Sequence, residues 1–400
     1  MSEYAKDKGS IDGYDISRKE IIEMINLKLA ELRKRNHLTQ QELGDILSVS
    51  YQTISKWENG QVSPDINMLP QMSAYFGVSV DALLGIVPLE QEYIPSDSGT
   101  TEYWSKRLFY LKNTRKNMWN EDYFEFLINN VWKIEKPIEI LDCGCGYGAL
   151  GLLLLPMLPR GSRYTGIDFT RSMIDEARSI FAGTEFDVTF IEEDILDFHT
   201  DKKYDAVIGQ AVLRHVNDGF SYLKKMVEFT KSDGIVVSIE CNREFESCGL
   251  YIDGMDYSNL CMHDGLKKLW TTELEKQKRD YSIAMKIPHY MKKLGLYDVD
   301  CRMNDKVNVL EKDDEGYRER LESIIGADHW TDEKTEREVE TDIEYFMNHG
   351  MSRLEAEQYC DQQNGIVSFM KEHRNNVSLT KTMGLMISYG WKTAVKNVLT

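Results

Sequence analysis

The most constraining stretch of this chain is "IEILDCGCGYGALGLLL", residues 138–154, in which an apolar strand pattern ends at Asp142 and Gly144, Gly146 and Gly148 then lead into a helix. A strand-to-helix turn that tight needs residues tolerant of positive φ, and a ligand that approaches the backbone closely excludes a Cβ. Nicotinamide and flavin enzymes use a related turn, so the glycines alone do not choose between ligands. The loop has no basic residue and the chain has no G-x-x-x-x-G-K-[ST], which disfavours a nucleoside triphosphate. Downstream, "RYTGID", "VTFIEED", "YDAVIG" and "GIVVSIE" have strand length and alternate with amphipathic segments. That alternation predicts a parallel sheet covered by helices.

Two carboxylates sharpen the reading. Asp168 ends the second strand at the distance expected of an acid that hydrogen-bonds ribose hydroxyls, and Phe169 after it is placed to cover a purine. Asp194 ends the third strand, where it can accept from an exocyclic amine. A glycine turn followed by acids at two successive strand tips describes an adenosine that carries no phosphate, and an acidic surround also suits a sulfonium.

On these motifs, residues 102–391 resemble the class I, Rossmann-like S-adenosylmethionine-dependent methyltransferases. The resemblance implies that Asp142, Gly144, Gly146 and Gly148 hold the methionine part and approach the ribose, and that Asp168 binds the ribose. Asp194, Ile195 and Phe169 would surround the adenine. "YDAVIGQAVLRHV" matches the fourth-strand motif of small-molecule methyltransferases of the ubiquinone-biosynthesis type and puts Gln210 beside S-adenosyl-L-methionine. Residues 118–133 look like the helix that precedes the first strand in part of this family. Arg115, Tyr103, Trp104 and Arg107 would cap the site, Arg115 toward the cofactor and Tyr103 and Trp104 toward the acceptor.

His215 reads either as a general base or as an ordinary histidine opening a helix. Glu240 and Asn242 end the fifth strand, at the sheet edge where open α/β folds bind ligands, and are candidate acceptor-binding residues. Cys143 and Cys145 read as small packing residues. Cys241, Cys248 and Cys261 lack a C-x-x-C pair, so no metal site is expected.

Near the N-terminus, apolar residues from Ile21 to Leu84 recur at helical spacing in short bursts, which predicts four or five short helices. Thr39 caps a helix ending near Leu47, and Ser50 caps a second across the turn "SVS". The run from Leu29 to Gly85, with "ISKWENG" and "VDALLG", resembles the lambda-repressor-like (Xre/Cro) helix-turn-helix family. The resemblance implies that Tyr51, Gln52, Thr53 and Lys56 face the DNA major groove, with Gln40 and Ser55 set for phosphate or base-edge contacts.

The fold expected is an all-α helix-turn-helix domain at 21–86, a linker at 87–101 and an α/β Rossmann-like methyltransferase domain at 102–400, with a helical lid inserted at about 313–375. Residues 1–20 are expected to be a flexible N-terminus. A net charge of −18 repels nucleic acid at long range, and the helix-turn-helix itself has five cations against seven acids. DNA binding of useful affinity therefore calls for a homodimer on two half-sites. The longest apolar run, "ALGLLLLPML", is broken by Pro156 and too short to span a bilayer, and the polar N-terminus lacks a secretory pattern, so the cytoplasm is the expected compartment. The fourth strand lacks the D/N-P-P-Y or Pro-Cys motif of DNA-modifying enzymes, which points to a small-molecule methyl acceptor. Two functions remain open: an active small-molecule methyltransferase tethered to a DNA-binding regulator, and a transcriptional regulator whose methyltransferase-like domain senses the cofactor or a metabolite without turnover.

Overall fold

A computed structural model describes residues 27–86, 89, 100–261 and 264–393. They form two compact units, one holding the N-terminal residues to 93 with 340–358, the other 94–339 with 359–400.

In the first unit, α-helices Leu29–Arg35, Gln40–Leu47, Tyr51–Glu58, Leu69–Phe76 and Val80–Leu83 are joined by short turns, with a 3-10 turn at Ile66–Met68. Thr39 forms a full capping box with Glu42, and the Ser50 hydroxyl accepts the Thr53 N–H. These are the two caps expected from the sequence. Leu29, Leu43, Ile54, Met72 and Leu83, one from each helix, are fully buried together. Gly44 is required where the two central helices meet, because a Cβ there would lie 2.7 Å from the Val49 carbonyl oxygen. Arg33 closes the bundle with two bonds to Glu58, at 2.7 and 3.0 Å. The expected flexible N-terminus at 1–20, residues 21–26 of the expected helix-turn-helix domain and most of the expected linker lie outside the described residues, but Leu89 is buried in this unit's core. Within the same unit Arg353 pairs with Glu340 and Glu357, and its N–H donates to the Ile86 carbonyl at 3.0 Å.

The second unit is built on β1 (Glu139–Cys143), β2 (Arg163–Asp168), β3 (Asp187–Glu192), β4 (Tyr204–Gln210) and β5 (Thr230–Cys241), all parallel, in the order β3-β2-β1-β4-β5. Alternation along each strand feeds two cores: Ile140, Ile208 and Val237 pack on one face with the helices Glu121–Phe126, Ala149–Leu154 and Arg171–Phe181, while Leu141, Val207 and Val236 pack on the other with Gly219–Phe229 and Ile283–Lys293. The helix expected over 118–133 is an α-helix only from Glu121 to Phe126 and continues as a π-turn, Leu127–Val131.

The run "IPHYMKKLGLYDVDCRMNDKVNVL", residues 287–310, reads in sequence as a helix followed by one long strand, and the structure divides that strand. β7 (Leu296–Met303) joins the large sheet at its edge, whereas β8 (Val307–Leu310) pairs elsewhere. The break falls at "NDK": the Asn304 and Asn308 amides and the Lys306 ammonium turn to residues 117–120, bonding the Met118 and Asn117 carbonyls and the Asn120 side chain. The run "SLTKTMGLMISYGWK", residues 378–392, reads in sequence as one final strand and likewise yields two. β10 (Leu385–Lys392) runs antiparallel between β5 and β7, making the sheet mixed, and β9 (Leu379–Thr382) lies between β8 and β6 (Leu250–Ile252) in a three-stranded sheet with a separate core. The stretch expected as a helical insertion, about 313–375, carries three helices, Tyr317–Asp328, Glu336–Asn348 and Arg353–Glu372. Among the described residues no helix is long and apolar enough to cross a membrane, and no three metal-ligating side chains are grouped.

Candidate functional site

A cavity of about 430 Å³ opens at the carboxyl ends of the parallel strands, within the size range of small-molecule sites. The turn after β1 shapes its floor. Gly144, Gly146 and Gly148 all have positive φ, at 76°, 54° and 82°. A Cβ on Gly144 would lie 2.5 Å from Val212, and one on Gly148 would lie 2.9 Å from Phe181. Gly146 is different: no atom lies within 4 Å of its missing Cβ, so its bare backbone faces the cavity.

Asp168 braces that backbone, one oxygen accepting the Gly146 N–H at 2.9 Å and the other the Thr170 N–H at 2.8 Å. Burial raises its pKa against those two bonds. Asp142, only 1% exposed, accepts the Tyr164 hydroxyl at 2.5 Å through Oδ2, while its buried Oδ1 has no partner among the described residues. Burial pushes this carboxyl up to about 7, with the Tyr164 bond opposing. Asp194 accepts the Leu196 N–H, Phe169 is 38% exposed over the same opening, and Ile195 is buried beside them. Gln210 and Arg115 both reach the Met118 sulfur, at 3.4 and 3.3 Å.

The structure thus brings Trp104, Arg115, Asp142, Gly144, Gly146, Asp168, Phe169, Asp194, Ile195, Gln210 and His215 to one cavity. Gly148, Tyr103, Glu240 and Asn242 lie outside its lining. Tyr103 packs edge-on against Trp104 and under the Arg107 guanidinium. Glu240, fully buried, accepts the backbone N–H groups of Val212 and Leu213, both at 2.8 Å, and burial raises it to about 7 against the Leu213 bond. Asn242 caps the helix Arg243–Ser247. These two residues hold the loops after β4 and β5 rather than facing the opening.

The loop after β4 begins with strain, since Ala211 has φ of 55° without being glycine. Leu213–His215 then forms a 3-10 turn. His215 packs edge-on against Trp104 at 5.0 Å, accepts from Arg214 Nε at 3.0 Å through Nε2, and has Arg279 3.5 Å from Nδ1. Burial and then the charges of Arg214, Arg279, Arg243 and Arg107 hold its pKa well below the usual histidine value.

Sequence reasoning missed Arg214, Arg243 and Glu246, which line the cavity beyond β4 and β5. The signal was available, because they follow strand ends just as Asp168 and Asp194 do. It missed Met383 as well, brought in from the β9–β10 turn with no local motif to mark it.

On the first unit, Tyr51, Gln52 and Lys56 are exposed on the helix Tyr51–Glu58. Three other expected contacts are engaged internally. Gln40 donates to Glu58 at 2.9 Å, Thr53 shares a hydrogen bond with Ser50, and Ser55 accepts weakly from Asn59.

Residues 134–286 match the family model of a methyltransferase domain, and residues 29–83 match that of a helix-turn-helix. The chain is a helix-turn-helix domain fused to a methyltransferase domain. Its methyltransferase is S-adenosylmethionine-dependent. The methyltransferase domain is similar to a ubiquinone biosynthesis O-methyltransferase of Rickettsia akari, 27% identical over 203 residues that make up 45% of this chain and 79% of that protein. It is also similar to a malonyl-[acyl-carrier protein] O-methyltransferase of Acetivibrio thermocellus, 40% identical over 25% of this chain and 34% of that protein. Among solved structures, a phosphoethanolamine N-methyltransferase 2 of Haemonchus contortus is 14% identical with a TM-score of 0.42, covering 75% of this chain and 61% of that one. The methyltransferase cavity fits the cofactor: a buried acid with an unpartnered oxygen, a glycine open to the void and a braced strand-tip carboxylate stand side by side.

Proposed function

We propose that the protein methylates an oxygen of a small-molecule acceptor inside this cavity, and that its helix-turn-helix, acting as a dimer, reads DNA to regulate transcription. The observation that carries the catalytic half is continuity. One cavity runs from the acids at the tips of β1, β2 and β3 to His215 and the loops after β4 and β5, so a donor and an acceptor fit end to end.

S-adenosylmethionine, when bound, supplies an electrophilic methyl group on a sulfonium. Asp142 would accept from the ammonium of the methionine part, and Arg115 would take its carboxylate. Gly144 and Gly146 would let that part lie on the backbone, Asp168 would accept from the ribose, and Asp194, Ile195 and Phe169 would enclose the adenine. Gln210 closes the side toward Met118. That methyl would be open to in-line displacement by an acceptor oxygen, with the sulfur as the leaving group. The protein's part is alignment and exclusion of water, with Trp104 at the mouth. His215 Nε2 receives the hydroxyl proton of the acceptor once Arg214 releases it. The similarity to two O-methyltransferases supports oxygen as the nucleophile.

The test is mass spectrometry of the purified protein incubated with labelled S-adenosylmethionine and a panel of hydroxylated and carboxylated acceptors. A methylated product with one S-adenosylhomocysteine per methyl is expected. Cofactor binding without product across the panel would favour a second reading, a cofactor-sensing regulator. One observation supports that alternative: the Nε2 lone pair of His215 is already engaged by Arg214.

A further inference from the structure

The sheet order sorts charge along the cavity. Asp194, Asp168 and Asp142 stand after or within β3, β2 and β1, while Arg214 and Arg243 follow β4 and β5 on the acceptor side. Most charges on the acceptor side are already matched. Arg243 is paired with Glu246, and Arg279 with the fully buried Glu273 at 3.2 Å. Asp218 is committed to capping its helix through the Ser221 N–H and hydroxyl. Glu240 feels the charge of Arg214, yet its bonds go to backbone amides.

Arg214 is the exception. Its Nε donates to His215, and neither of its Nη groups has a hydrogen bond or ion pair with a described residue, although the side chain lines the cavity. Glu240 and Glu246 feel its charge but neither bonds it, so a planar guanidinium fork shaped for a carboxylate or phosphate is left open. Val212, Val216, Met383 and Trp104 supply apolar wall to the same cavity.

We propose that the methyl acceptor carries an oxyanion, carboxylate or phosphate, on an apolar body, and that the Nη fork of Arg214 holds that group. This rests on the cavity being a methyltransferase site. Drawing Arg214 onto the anion also takes its Nε away from His215, which frees Nε2 for the acceptor.

Calorimetry on the full chain saturated with S-adenosylhomocysteine tests it, with 4-hydroxybenzoate and phenyl phosphate as anionic probes and 4-hydroxybenzamide and phenol as their neutral counterparts. At least one anion is expected to bind roughly tenfold tighter than its neutral counterpart. Arg214→Gln is expected to reduce that preference to about twofold or less, and Arg214→Lys to restore part of it. Unchanged S-adenosylhomocysteine affinity in the variants shows that they are folded. The carboxylate and phosphate arms identify which oxyanion is preferred. Neutral probes binding as tightly as the anions, no saturable binding of either anion, or a preference that survives in Arg214→Gln would each overturn the assignment. Failure of S-adenosylhomocysteine itself to bind would instead overturn the methyltransferase reading.

Discussion

On the function proposed above, the buried carboxyl of Asp142 makes cofactor binding depend on pH. In the free protein, burial holds it near 7, so it is largely protonated at pH 6 and largely ionised at pH 8. A cofactor ammonium needs the ionised form. Affinity for S-adenosylhomocysteine is therefore expected to rise roughly tenfold from pH 6 to pH 8, with a proton released on binding. Calorimetry in buffers of different ionisation enthalpy measures both, and Asp142→Asn should flatten the profile; equal affinity at the two pH values in wild type would refute the assignment. Stability runs the opposite way. Asp142 and Glu240 both have folded pKa values raised above their ordinary ones, so their contribution is complete below about pH 4 and is lost as pH rises through about 7. The ligand-free protein should melt at a lower temperature at pH 8 than at pH 5.5, by less in Asp142→Asn. Asp142, Asp168 and Asp194 were legible in the sequence because strand length and a glycine turn mark strand tips. The orientation of Glu240 was not, since the same strand-tip logic applies to it and only the fold turns its oxygen to the Val212 and Leu213 amides.

The glycine turn separates two demands that look alike in sequence. Gly144 is needed by the fold, because Val212 occupies the space a Cβ would take, whereas Gly146 is open and its neighbours impose no steric limit. Gly144→Ala is expected to lower the melting temperature markedly, with strain at positive φ adding to the clash. Gly146→Ala should cost only about 1–2 kcal/mol of stability, from its backbone conformation, yet weaken S-adenosylhomocysteine binding by tenfold or more. Thermal melts paired with calorimetry distinguish the two, and equal stability losses with unchanged binding would refute the separation. The five parallel strands could be read in advance because each alternates between two cores and so carries a strong apolar signal. β6, β8 and β9 could not, being three or four residues long, with pairing partners far away in sequence. Nothing periodic distinguishes β7 from β8 either; the division depends on the bonds that Asn304, Lys306 and Asn308 make to residues 117–120.

For the whole molecule, charge sets the terms of DNA binding. A chain at −18 with few cations on its helix-turn-helix gains little from phosphates as a monomer. We expect a homodimer that binds an inverted repeat with half-sites about 34 Å apart. Gln52→Ala with Lys56→Ala, both exposed on one helix, should abolish the gel shift on the upstream region of its own transcription unit while methyl transfer persists. Wild-type binding by that variant, or a monomer at all concentrations in sedimentation with DNA present, would refute this. The division of the chain bears on a different kind of experiment. Because residues 340–358 belong with the N-terminal unit while the chain on both sides of them belongs to the other, the backbone passes between the units three times, and severing it once does not release either unit. A protease site inserted between residues 89 and 100 should therefore yield two fragments on a denaturing gel that still co-elute under native conditions. A gene shortened to begin at residue 100 should express poorly, its product carrying residues 340–358 without the rest of the unit to which they belong.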